Sequence, residues 1–201
     1  MFQYLVLLSL PLAAFGGGMY IRDTITGNAK PNKISWLMWS VAPLIATFAA
    51  ISKGVTWGVL PVFMSGFIPL CILITSFFSK KSYWKLTFFD YLCGFFSALA
   101  LALWLILKDA NIAIIFAIIA DGSAAIPTLR KSWTNPETES GLPYLMGLIS
   151  APTSFAAISR WVFPAYGFAL YLIIVDATLV FFIYRRKIFA KGFLPAGKNK
   201  V

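Results

Sequence analysis

The chain carries one pattern twice. Tyr20-Ile21-Arg22-Asp23-Thr24-Ile25-Thr26 is followed, after a short polar stretch, by Trp36-Leu37-Met38. About 108 residues further on, Thr128-Leu129-Arg130-Lys131-Ser132-Trp133-Thr134 is followed by Tyr144-Leu145-Met146. Arg22 and Arg130, Thr26 and Thr134, Leu37 and Leu145, and Met38 and Met146 coincide without a gap. A one-residue shift then brings Phe48-Ala49-Ala50-Ile51-Ser52-Lys53 onto Phe155-Ala156-Ala157-Ile158-Ser159-Arg160. The recurrence of these identities in nearly one register reads as internal duplication, and duplication decides architecture before any residue chemistry does.

The repeated unit is built for lipid. Of the 201 residues, 60% are hydrophobic and 12% charged, about half the charged share of an ordinary soluble domain. The apolar residues fall into seven runs, at 2–21, 34–52, 56–78, 86–107, 111–129, 141–159 and 162–184. Each is close to the roughly 20 residues that span a bilayer as a helix. Continuous rather than alternating hydrophobicity excludes barrel strands. The first run lacks a basic segment before its apolar core and shares its repeat position with 111–129, so it reads as a retained helix rather than a cleaved leader.

Seven helices and two repeats leave one helix over, the run at 86–107. Three crossings end on the opposite face of the membrane, so one further crossing must precede a second triplet in the same orientation. The expected fold is therefore an all-α integral membrane protein of seven transmembrane helices. It has a three-helix repeat at 1–85, a linker helix at 86–109, and a second three-helix repeat with a basic cytoplasmic tail at 110–201, with the two repeats parallel. With the N-terminus outside, 14 basic residues fall on the inner face, among them Arg22, Lys30, Lys33, Lys80, Lys81, Lys85, Arg130, Lys131 and Arg185 to Lys187; only Lys53, Lys108 and Arg160 fall outside. That asymmetry sets the C-terminus in the cytoplasm. It also accounts for the net charge of +10, so no nucleic-acid partner is expected. Short loops and brief tails suggest a bacterial inner membrane.

The 3-1-3 pattern resembles the SWEET sugar transporters and the wider PQ-loop (MtN3-like) group. The second repeat is similar in detail: Pro127-Thr128-Leu129-Arg130-Lys131, then Thr138-Glu139-Ser140-Gly141-Leu142-Pro143-Tyr144. The resemblance matches Pro127 to the proline at the cytoplasmic end of a repeat's first helix and Pro143 to the one that opens the next. It implies a transporter with its site between the repeats. The chain departs from the pattern at Thr128, where the group has Gln, and at Met19 and Ser35, where the first repeat would have prolines. The third helix of each repeat also lacks the sugar-binding Asn. The sugar-specific residues are unmatched, and the expected solute is a small polar one: sugar-like, amino-acid-like or vitamin-like.

Charges inside the membrane are the first candidates for function. Asp121 and Asp176 each precede the basic end of their helix, Arg130 and Arg185, by nine residues. At about 1.5 Å per residue they share a layer roughly 13 Å from the cytoplasmic face. Their first-repeat counterparts are approximately Ala13 and Cys71, so the pair is an addition to one copy of the scaffold. Two acids in one low-dielectric layer do not both ionise cheaply, which suggests a shared proton or a bound cation. Asp121, Asp176, Ser123, Ser65, Ser40 and Thr153 are expected to border a midmembrane cavity. The structural alternative is that Ser123 and Thr178 cap the two acids. Asp90, near Lys85, reads as solvated at the interface.

Trp36 and Trp39 lie one turn apart. Two indoles so spaced suit a planar ligand, as in the Trp-x-x-Trp element of the related PnuC-type nicotinamide riboside importers. They equally suit an interfacial aromatic belt, to which Trp36 is assigned here; Trp39 is counted with the site. Trp57, Trp84, Trp133 and Trp161, at helix ends, also read as belt. Pro43 and Pro152 sit at matched positions inside their helices, and each frees a carbonyl four residues back; with Pro127 and Pro143 they are the candidate hinges. Gly16-Gly17-Gly18 reads as a packing face.

No His is present, Cys71 and Cys93 have neither metal nor disulfide spacing, and no phosphate-binding glycine loop occurs. No cofactor and no enzymatic activity are expected. The expected function is a secondary transporter or facilitator, with proton coupling through Asp121 and Asp176 as one mechanism. Its expected partners are the bilayer, the solute and a proton or cation, and an oligomer is compatible with the pattern. The alternative is a non-transporting membrane receptor or accessory protein on the same fold.

Overall fold

The structure, a computed structural model, describes residues 2–79, 85–107 and 109–192. Lys80, Lys81, Trp84 and Lys108, assigned above to loops and belt, lie outside the described residues, as do Lys198 and Lys200 of the basic tail. Everything described is helix or connection, with no strand among the described residues.

Seven α-helices follow in order: α1 (Ser9–Thr26), α2 (Lys33–Ile51), α3 (Leu60–Phe78), α4 (Phe88–Leu107), α5 (Ala110–Thr134), α6 (Leu142–Ser150) and α7 (Phe163–Gly192). A 3-10 segment, Phe2–Leu8, leads into α1, and another, Ala151–Ala157, continues α6. The apolar runs coincide with these elements to within a few residues, except that α5 and α7 extend past their basic residues. Among the described residues, five spans are long and apolar enough to cross a membrane: Tyr4–Thr26, Lys33–Ile51, Trp57–Phe78, Ala110–Thr134 and Phe163–Ile188.

Local signals mark the ends. The Asn32 side chain caps α2 by accepting from the backbone N–H of Ile34 and Ser35, and Asp109 caps α5 through Asn111 and Ile112. Gly27, at φ 90°, closes α1 with its N–H on the Asp23 carbonyl. Asp90 is not a solvated interfacial charge: it is 4% exposed. Its Oδ2 accepts from the Thr87 N–H and hydroxyl at the start of α4, and its Oδ1 accepts from Asn32 Nδ2 at 2.7 Å. One carboxylate thus caps α4 and fastens it to the cap of α2.

The prolines do not act alike. Pro43, Pro69 and Pro127 sit inside continuous α-helix. At Pro152 the α-helical winding has given way to 3-10, so the matched pair Pro43 and Pro152 has two different outcomes.

α3 packs on α1 and α2, and α7 packs on α5 and α6. α1 meets α6 and α2 meets α5, while α4 lies against α5 and α2. Small residues permit the α2–α5 approach. Ala113, Ala117 and Ala120 recur at three- and four-residue steps along α5, all buried, in one core with Ala42, Ala46 and Ala49 of α2, and Ala124, one turn on, is buried in a second core with Trp36 and Trp39. Gly17 does the same for α1 and α3: a Cβ there would lie 2.2 Å from Ile68 Cγ2.

Large apolar side chains are turned outward instead. Phe15, Phe48, Phe77, Phe78, Phe88, Phe95, Ile106, Ile119, Ile149, Ile174 and Phe181 are all exposed. Soluble monomers do not present apolar surface on that scale. A small-residue interior beneath an apolar exterior is the construction of a membrane protein, in which lipid covers the outside and close packing holds the helices together.

Candidate functional site

The centre of the bundle holds a cavity of about 100 Å³, the order of size of a void that admits a benzene-sized molecule. Much of its wall is apolar, from Met64, Ile68, Met146, Leu172, Val175 and Leu179. Asp121 of α5 and Asp176 of α7 both line it. No Lys or Arg is among the described residues that line it.

The two acids are held differently. Asp121 is 2% exposed, and its Oδ2 accepts from the Tyr171 hydroxyl of α7 at 2.7 Å. Its backbone carbonyl accepts from Trp39 Nε1 of α2 at 3.3 Å. One residue of α5 is therefore tied to both neighbouring helices, and the partner of its carboxylate is Tyr171, not Ser123. Asp176 is half-buried, and no hydrogen bond or ion pair to its carboxylate occurs among the described residues. It fits against α6 because residue 147 is glycine: a Cβ there would lie 2.3 Å from Asp176 Oδ2. Thr178 does not cap it; that hydroxyl donates to the Ile174 carbonyl of its own helix.

Aromatic residues form the other polarisable part of the wall. Trp36, Trp39 and Tyr144 line the cavity and pack on one another. The Trp36 and Trp39 rings meet edge to face at 5.3 Å, and Trp36 and Tyr144, repeat-equivalent residues, stack at 6.4 Å. Trp36 is 2% exposed, so it is not part of an interfacial belt. Trp57, Trp133 and Trp161, by contrast, are exposed.

Of the residues singled out from sequence, Asp121, Asp176, Ser65, Trp39, Pro43 and Pro143 come together on this wall. Ser40, Ser123, Thr153, Pro127 and Pro152 do not line it. Three of the hydroxyls bond back onto their own helices: Ser40 to Leu37, Ser65 to Val62 and Thr153 to Ser150. A Ser or Thr in an apolar helix has its own preceding turn as the nearest acceptor, and that satisfies it without a partner across the bundle.

Sequence reasoning missed a second polar assembly around Tyr144. Lys131 Nζ lies 3.3 Å from Glu139 Oε2, with both side chains essentially inaccessible. The Tyr20 hydroxyl donates to Glu139 Oε2 at 2.8 Å, Tyr144 donates to Oε1 at 3.4 Å, and Lys131 Nζ also donates to the Lys30 carbonyl. Tyr20 packs on Trp36 at 4.7 Å, so the aromatic cluster joins this ion pair to the cavity. Lys131 was counted above only as a loop charge. The available signal was Glu139, an acid in a short segment between two helices, one of seven Asp and Glu residues in the whole chain. Among the described residues no cluster of His, Cys, Asp and Glu could hold a metal ion. Comparison with protein-family models, with curated proteins and with solved structures gives no match to this chain.

Proposed function

We propose that this protein is a secondary transporter or facilitator that carries a small polar solute through the central cavity. The observation that carries the proposal is the meeting of Asp121 and Asp176 on one cavity wall inside a membrane protein. Intramembrane carboxylates are costly and cluster on solute and ion paths, and Asp176 makes no compensating contact that would explain it as packing.

The scaffold we propose is the 3-1-3 arrangement of the SWEET and PQ-loop kind, with α4 as linker, the N-terminus outside and the C-terminus in the cytoplasm of a bacterial inner membrane. The equivalent packing of the two triplets supports it, α3 on α1 and α2 matching α7 on α5 and α6. So does the reciprocal contact of α1 with α6 and α2 with α5. As α-helix, α6 alone reaches about 14 Å. The seven-residue 3-10 continuation adds about 14 Å more at roughly 2.0 Å per residue, and together they approach the roughly 30 Å of a bilayer core.

The carboxylate pair gives such a carrier a coupling device. With no basic residue on the wall, the pair holds a shared proton or a cation when the cavity is closed to water. Uptake into sealed proteoliposomes tests the proposal, using labelled sugars, amino acids and vitamins with and without an imposed pH gradient. Transport predicts saturable uptake of at least one solute. Proton coupling predicts that Asp121→Asn or Asp176→Asn keeps exchange but loses gradient-driven accumulation. Binding without uptake in every case would favour a receptor on the same fold.

A further inference from the structure

The lining of the cavity is selective in its chemistry. It combines two carboxylates from different helices with the rings of Trp36, Trp39 and Tyr144, and it contains no Lys or Arg. A neutral polyol would call for many hydrogen-bonding groups, but the Ser65 hydroxyl is already engaged by its own helix. An anion would meet two carboxylates. A bare metal ion would call for more oxygen ligands than one uncommitted carboxylate supplies.

What this wall fits is an organic cation. Aromatic faces attract a cation through their quadrupoles, most strongly where water is excluded, and cages of this kind recognise quaternary ammonium groups. The carboxylate of Asp176, without a hydrogen bond or ion pair among the described residues, supplies the counter-charge to such a cation. We propose that the solute is a small organic ammonium, held by the Asp176 carboxylate beside the rings of Trp36, Trp39 and Tyr144. The proposal rests on the transport reading for its site, but its test does not require transport.

The test is calorimetric titration of the full-length protein in a maltoside detergent, which contains no competing choline headgroup. The ligands are choline, ethanolamine and tetramethylammonium, with 3,3-dimethylbutan-1-ol as the neutral isostere of choline and sodium chloride as the inorganic control. At least one ammonium is expected to bind saturably at one site per chain. The neutral isostere should bind at least tenfold more weakly than choline, Asp176→Asn should weaken ammonium binding at least tenfold, and Trp39→Leu should weaken it several-fold. Binding of none of the three ammonium compounds overturns the proposal. So does equal affinity for choline and its isostere, displacement by sodium at equal concentration, or undiminished binding to Asp176→Asn. If that variant does not fold, the isostere comparison on the unsubstituted protein decides alone. Ammonium binding without flux in sealed vesicles would remove the transport reading and leave this site. Flux of a neutral solute with no ammonium binding would do the reverse.

Discussion

Lys131 and Glu139 show how much of the chemistry of this protein is set by single side chains that sequence leaves unmarked. A buried ion pair persists where further hydrogen bonds complete it; here Tyr20, Tyr144 and the Lys30 carbonyl do so. Glu139→Gln keeps the shape of the side chain but removes the charge facing Lys131. We expect a loss of about 3–5 kcal/mol, the usual cost of breaking a buried pair by removing one partner, read as a lowered unfolding midpoint in detergent. Tyr144→Phe removes one long hydrogen bond and should cost about 1 kcal/mol; equal losses in the two variants would contradict the assignment. Asp121 and Asp176 were legible from sequence because a charge in an apolar run stands out. Tyr171 and Gly147 were not, although one donates to Asp121 and the other makes room for Asp176. A tyrosine or glycine in a membrane helix has too many ordinary uses to advertise such a role, and only the facing helix reveals it.

At the scale of the element, the seven runs were legible because hydrophobic length is a strong signal, while the winding inside them was not. Pro43 and Pro152, paired in the sequence reading, stand 109 residues apart, one more than the 108 that lays Met38 on Met146, and α2 stays α-helical while α6 passes into 3-10 at Ala151. The missing N–H is the same in both. The 3-10 segment Ala151–Ala157 packs against Phe2–Leu8 and α7. Glycines in α1 give a sharper test of element packing. Gly17→Ala meets Ile68 and should destabilise by about 1–3 kcal/mol, as overpacking does, whereas Gly18→Ala, with nothing within 4 Å of its added Cβ, should raise stability by up to about 1 kcal/mol through helix propensity. A neutral Gly17→Ala would mean that α1 and α3 are not pressed together as described. On α5, Ala117→Leu puts bulk into a fully buried position and should cost at least as much, by separating α2 from α5.

At the scale of the whole molecule, the central cavity is lined from α1, α2 and α3 and from α5, α6 and α7, the elements that carry the two copies of the sequence pattern. The proposed sidedness rests on the basic asymmetry and has its own test: reporter fusions after Lys53 and Arg160 should report the outside, and a cytoplasmic signal at both would invert the orientation. The central claim is that the cavity serves passage and not only binding, and cysteine accessibility tests it without knowing the solute. Cys71 and Cys93, the two native cysteines, are replaced by serine, and one cysteine is placed at Ser65 on the cavity wall. A membrane-impermeant maleimide is then applied to intact cells and, separately, to inverted membrane vesicles. A carrier exposes its cavity to each side in turn, so labelling from both sides is predicted; labelling confined to one side would contradict it.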